Sequence, residues 1–75
     1  MEKTLDKLKP GEKGTVKRVT AEGMIRRRLF DMGVTPGAAL MMRKAAPFGD
    51  PLEITLRGYE LSLRRIEAAG VLLEV

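Results

Sequence analysis

Arg26, Arg27 and Arg28 follow one another directly before Leu29, Phe30 and Asp31. Guanidinium groups grip carboxylates and phosphates in a bidentate fork and stack on aromatic rings, so this stretch suits anion binding or protein docking. A second candidate is Ala46-Pro47-Phe48-Gly49-Asp50-Pro51, which places an aromatic ring in a proline-bounded loop beside a carboxylate. Loops on a rigid scaffold are where binding residues concentrate. Asp50 and Glu53 form the closest acidic pair in this region, and they are its candidate cation ligands. Ferrous and related ions favour imidazole, carboxylate or thiolate donors, and the chain has neither histidine nor cysteine. No dedicated metal site and no cofactor are therefore expected. Ser62 is the sole serine and has no histidine to activate it. No glycine-rich loop runs into Lys-Ser or Lys-Thr, so no nucleotide of its own is expected. These residues predict a non-enzyme that acts by contact.

The elements that must position these residues fit within 75 residues, which predicts a single domain spanning 1–75. Aromatic residues are scarce (Phe30, Phe48 and Tyr59), so aliphatic side chains must build the core. The candidates are Leu8, Val16, Val19, Ile25, Leu29, Leu40, Met42, Ile54, Leu56, Leu61, Leu63, Ile66, Val71 and Leu73. The net charge of +4 is uneven: residues 1–28 hold nine Lys/Arg against four Asp/Glu, residues 29–75 five against six. The positive field belongs to the N-terminal third, where nucleic acid, an anionic membrane surface or an acidic protein face would be drawn. The charged N-terminus lacks the apolar core of a signal peptide, and no apolar run approaches the ~20 residues of a membrane span, so a soluble chain is expected.

Lys9-Pro10-Gly11-Glu12 reads as a tight turn, with proline setting the second position and Gly11 taking positive φ at the third. A strand follows over 13–19, in which Gly14 allows a bulge or a close backbone approach. Residues 22–32 read as a helix with Thr20 as N-cap and Ile25, Leu29 and Met32 on one stripe. Gly33 occupies the left-handed C-terminal cap position, with Val34 folding back on Leu29. Thr35-Pro36-Gly37-Ala38 repeats the Pro-Gly turn and launches a strand over 39–46. The segments PGEKGTVKR and PGAALMMRK share a rhythm of turn, strand and basic pair. Strands over 52–57 and 59–64 alternate cleanly about a reversal at Gly58. A helical turn over 65–70 precedes a last strand over 71–75. The pattern predicts a mainly β fold: a small, partly open five-stranded barrel with one inserted α-helix and a short helical turn before the final strand.

On that helix Arg26, Arg27 and Arg28 fall about 100°, 200° and 300° round from Ile25, so they cannot share one phosphate track. Arg27 points to solvent one turn before Asp31, in reach of an exposed pair. Arg28 borders the core stripe, and two roles stay open: bonding carbonyls near a loop, or touching a partner. Phe30, at about 140°, points away from the stripe between Arg26 and Arg27. It is either an exposed docking residue or a ring covered by another segment. Met41 alternates away from Leu40 and Met42 and is expected at the surface. With Met24, Met32 and Phe48 it forms a soft apolar patch, or else the methionines fill the barrel interior.

Five segments in order carry a resemblance. They are Leu8-x-x-Gly11-x-x-Gly14, RRLFDMGVTPG from Arg27 to Gly37, APFGDPLEITLRG from Ala46 to Gly58, LSLR from Leu61, and IEAA…EV from Ile66 to Val75. Together they resemble the FeoA family, the small ferrous iron transport protein A, over nearly the whole chain. The motif residues are Gly11, Gly14, Leu29, Gly33, Pro36, Gly37, Asp50, Pro51 and Gly58, and Arg28 stands at the family's characteristic arginine. The resemblance implies an SH3-like barrel, a fold also found as the C-terminal domain of iron-dependent repressors. It implies a cytoplasmic accessory of FeoB, the ferrous iron transporter with a G-protein domain, held peripherally at the inner membrane through that partner. Contact would be with the transporter's cytosolic face, modulating GTPase or transport activity, without membrane insertion or nucleic acid; weak self-association is compatible with it. The candidate partner-binding residues are Arg26, Arg27, Arg28, Phe30, Met41, Pro47 and Phe48. The alternative reading is an SH3-like nucleic-acid-binding module using the basic N-terminal third.

Overall fold

The two Pro-Gly turns predicted at 9–12 and 35–38 organise the molecule. In the computed structural model, which describes residues 1–75, Glu12 N–H donates to Lys9 C=O at 3.0 Å and Ala38 N–H to Thr35 C=O at 3.0 Å. Gly11 and Gly37 take φ of +90° and +92°, conformations open to glycine at no steric cost. The turns launch β2 (Lys13–Val19) and β3 (Ala39–Ala45), which pair antiparallel with Gly14 opposite Leu40. Each turn then closes onto the strand that the other begins. Gly11 N–H reaches Met42 C=O at 2.7 Å, and Met42 N–H reaches Glu12 C=O at 2.9 Å. In the mirror position Gly37 N–H reaches Val16 C=O at 2.8 Å, and Val16 N–H reaches Ala38 C=O at 2.8 Å. A local two-fold axis through the Gly14–Leu40 pair relates the halves. It also relates two register breaks, one between Val16 and Arg18 and one between Met42 and Lys44. The shared rhythm in the sequence is thus a symmetric pair, with each strand bending at its basic residues.

The complete sheet has six antiparallel strands in the order β1-β6-β2-β3-β4-β5, with β4 at Leu52–Leu56, β5 at Tyr59–Leu63 and β6 at Val71–Glu74. The sequence predicts five; the sixth, β1 (Glu2–Thr4), pairs with β6 and carries no apolar alternation of its own. It forms because β6 offers it a backbone edge, a long-range cause invisible in Glu-Lys-Thr. The sheet is not closed, since β1 and β5 remain its edges. β4 alternates buried and half-buried residues, as predicted, and meets β5 through a two-residue turn with Arg57 at φ +48° and Gly58 at φ +88°.

Inside the sheet sixteen residues form one buried cluster. Leu5, Val34, Ala38, Leu52 and Ala68 belong to it beyond the core candidates named from the sequence. Ile25 and Leu61 are only partly buried, and Ile66 is 70% exposed, contrary to the expectation that it lies in the core. Ile66 lies in the short α2 (Arg65–Ala68), where neighbouring Glu67 and Ala68 take the inward positions. Gly14 makes the close approach predicted for it: a Cβ there would meet Leu73 and Val75 at 3.0–3.2 Å.

The inserted helix α1 spans Gly23–Asp31, one residue shorter at each end than predicted. Thr20 is not its N-cap. That position is Glu22, with no side-chain bond to the helix, while Thr20 N–H is directed to Gly70 C=O at 2.8 Å. The C-terminus follows the prediction closely. Val34 N–H bonds Leu29 C=O at 2.9 Å and Gly33 N–H bonds Phe30 C=O at 3.0 Å, a Schellman motif with Gly33 at φ +92°. Leu29 and Val34 are both fully buried; each such side chain contributes about 1.5–3 kcal/mol to burial.

Candidate protein-docking surface

The arginines of α1 have different employments. Arg26 Nη1 donates to Val19 C=O at 2.9 Å, and its guanidinium carbon lies 4.7 Å from the centre of the Phe30 ring. That stacking, together with packing on the core, leaves Phe30 half-buried rather than exposed. Arg28 bonds a carboxylate rather than the carbonyls considered for it. Its Nε stands 2.7 Å from Oε2 of Glu67, whose side chain is 11% exposed. Glu67 Oε1 accepts from Arg64 N–H at 2.9 Å, which caps α2 from its third residue. An arginine side chain has no acceptor with which to return that bond. Carbonyl binding therefore falls to Arg26, and Arg28 ties α1 to α2. Arg27 is the arginine left free: it is exposed, and no ion pair joins it to Asp31.

Arg27 and Asp31 stand between two shallow grooves on the outer side of α1. One, of about 540 Å³, is lined by Met24, Ile25, Arg27, Arg28, Asp31 and Met32. The other, of about 400 Å³, is lined by Gly23, Arg26, Arg27, Phe30 and Asp31. Met24 is 88% exposed. The proposed methionine patch is divided: Met24 and Met32 share the first groove, while half-buried Met41 lines a separate groove on the sheet.

Phe48 is 99% exposed, the most exposed large apolar side chain of the molecule. Its loop is nonetheless tied at both ends. Gly49 N–H bonds Ala46 C=O at 2.7 Å, and Ala46 N–H bonds Pro51 C=O at 3.0 Å. Arg65 then clasps the loop from α2: its Nε donates to Gly49 C=O at 2.5 Å, its N–H to Asp50 Oδ1 at 2.9 Å, and its Nη1 to Asp6 C=O at 3.0 Å. Sequence reasoning missed Arg65, and its only local signal is a second arginine at the start of a helical turn. A ring held outward on a braced loop is presented at low ordering cost, which favours association.

Asp50 is occupied with Arg65, and Glu53 pairs with Lys44 at 4.0 Å, so the structure does not join them as a cation site. No group of three or more histidine, cysteine, aspartate or glutamate side chains is assembled to hold a metal. No helix is long and apolar enough to cross a membrane. The shifted titrating groups lie elsewhere: Glu2 and Glu12 are lowered, and Lys17 is raised.

Comparison with known proteins agrees with this architecture. A family model for the FeoA domain matches residues 3–75. The Fe(2+) transport protein A/Fe(2+) transporter FeoB fusion protein of Porphyromonas gingivalis is 32% identical over 71 residues; these are 95% of this chain and 8% of that one. The chain thus spans less than a tenth of that relative's length. The FeoA-like protein of Clostridium acetobutylicum superposes with a TM-score of 0.91 at 38% identity, covering 99% of this chain and 86% of the other. FeoA of Stenotrophomonas maltophilia, solved with zinc and described as a procaryotic SH3 domain protein, superposes at 0.83 with 29% identity, covering 96% and 89%. The six-stranded open sheet with its inserted helix is accordingly of the SH3-like type, and the chain belongs to the FeoA family.

Proposed function

We propose that this protein is an accessory of ferrous iron uptake that docks on the cytosolic face of a FeoB-type transporter and modulates its GTP hydrolysis or ion flux. The observation that carries this reading is the Porphyromonas gingivalis relative, in which a counterpart of this chain is joined to FeoB in one polypeptide. Such joining raises the effective concentration of one part at the other to about millimolar, which is useful where the two parts touch. The protein works as one unit over residues 1–75 and contributes no covalent chemistry. Phe48 is the anchor, flanked by Pro47 and held by Arg65; Arg27 and Met24 supply a second contact on the outer side of α1. Arg26, Arg28 and Phe30 support the surface from within it.

The test is binding of the purified protein to detergent-solubilised FeoB-type transporter, followed by GTP hydrolysis and iron flux with and without it. Phe48→Asp and Arg27→Glu are expected to weaken association about tenfold or more, as loss of an interface anchor does. Their melting temperatures should stay within a few degrees of wild type, because both side chains lie in water. Wild-type binding by both variants overturns the assignment of the surface. Absence of any binding by the native protein overturns the function.

A further inference from the structure

We propose that the outer face of the β2–β3–β4 sheet carries a separate groove for an acidic peptide segment bearing an apolar side chain. The groove has a volume of about 550 Å³, and Lys13, Thr15, Ala39, Met41, Thr55 and Arg57 line it. Register places them on one face: Lys13 is opposite Met41, Met41 opposite Thr55, and Thr15 opposite Ala39. Their neighbours Val16, Leu40 and Leu56 point into the core. Short side chains in the middle and long ones at the rim leave a depression with an apolar floor at Ala39 and Met41.

Charge selects the occupant. Elsewhere on this sheet Lys17 meets Glu2, Arg43 meets Glu60, and Lys44 meets Glu53. Lys13 and Arg57 have no carboxylate partner. Glu74 and Val75 also border the groove, yet neither the Glu74 carboxylate nor the terminal one pairs with these two cations. Glu74 is already engaged by the Met1 amino group and Lys17. Two unneutralised cations beside an apolar floor complement carboxylates flanking an aliphatic residue. A nucleic-acid strand fits less well, because no aromatic side chain lines the groove on which a base could stack. The groove shares no residue with the Phe48 loop or α1, so its occupancy is independent of docking there.

The experiment is an amide NMR titration of the whole chain with acetyl-Asp-Leu-Glu-Leu-Asp-amide at low salt. Shifts are expected at Lys13, Thr15, Met41, Thr55 and Arg57, with affinity falling as salt rises. Lys13→Glu and Arg57→Gly should each weaken binding about two- to fivefold. Arg57 has φ +48°, which glycine accepts, so that variant removes the charge without straining the turn. A peptide with both leucines replaced by serine should also bind more weakly. The proposal fails if the peptide produces no shifts, or shifts confined to α1 or the Phe48 loop. It fails equally if the double variant, with its amide spectrum otherwise native, binds as wild type does. Stronger shifts of these amides by octathymidylate than by the peptide would assign the groove to nucleic acid instead.

Discussion

Arg28 Nε lies 2.7 Å from Glu67 Oε2, although the two residues belong to different helices on either side of three strands in the chain. Glu67 is nearly buried and its second oxygen caps α2, so one carboxylate holds a helix start and a link between helices. Replacing Glu67 with alanine should cost about 2 kcal/mol through loss of both bonds. In a domain of this size that is a fall in melting temperature on the order of 10 °C. Arg28→Ala should cost roughly half as much, since its own side chain is 58% exposed and already partly hydrated. Thermal melts followed by circular dichroism decide the order; equal melting temperatures for wild type and Glu67→Ala would refute the double role.

Tyr59 Oη donates to Met32 C=O at the end of α1, and a Cβ added to Gly33 would come within 2.7 Å of that same hydroxyl. Gly33→Ala therefore meets two penalties, a left-handed backbone worth about 1–2 kcal/mol and a collision. Tyr59→Phe should cost about 0.5–1.5 kcal/mol for the lost hydrogen bond. In the double variant the colliding oxygen is gone, so the two costs should sum to less than their separate values. Chemical denaturation of the four proteins measures that coupling, and strict additivity would sink this account.

Arg65 fixes the loop that displays Phe48. Arg65→Ala should raise amide exchange at Ala46 and Gly49 about tenfold, with a global stability loss of about 1 kcal/mol. Docking on the transporter should weaken although Phe48 itself is intact. If exchange at these two amides is unchanged, the clasp does not control the loop.

Glu2 is held below the ordinary glutamate range chiefly by a hydrogen bond from Lys17, and Lys17 is raised chiefly by the same bond. Glu12 is lowered chiefly by the N–H of Lys9, 2.6 Å away. Depressed carboxylates stabilise the fold fully above their unfolded value, roughly pH 4.3, and lose that contribution as pH falls through the folded one. The raised lysine contributes fully below its unfolded value, roughly pH 10.4, and loses it as pH rises through the folded one. Stability should be flat between these limits and decline outside them, weakly, because Glu2 and Lys17 are exposed and Glu12 is only half-buried. Lys17→Ala should move the carboxyl titration of Glu2 upward, as read by NMR; an unmoved titration would show that the pair does not form in solution.

Local rules carried most of the architecture. The paired Pro-Gly turns, the Gly33 cap, the alternation of β4 and the reversal at Gly58 each depend on a few adjacent residues, and each is where the sequence puts it; β5 alternates only over its second half, with Tyr59 exposed at its start. What escaped depends on distant partners. β1 exists because β6 has an edge to offer, and Thr20 gives up capping because Gly70 lies opposite its N–H. Helical angle sorted Arg26, Arg27 and Arg28 onto separate faces but said nothing of Val19 or Glu67, to which the first and last are bound. Exposure of Phe48 was legible from its prolines, whereas the Arg65 clasp needed the folded chain.

The two symmetric pairs of bonds, Met42 with Gly11 and Glu12 and Val16 with Gly37 and Ala38, have a kinetic corollary. Neither turn can complete its contacts until the chain between them, including all of α1, has brought the opposite strand home. The two ends should therefore open and shut together, with Val16 and Met42 amides exchanging at matched rates and a lesion at one turn felt equally at the other.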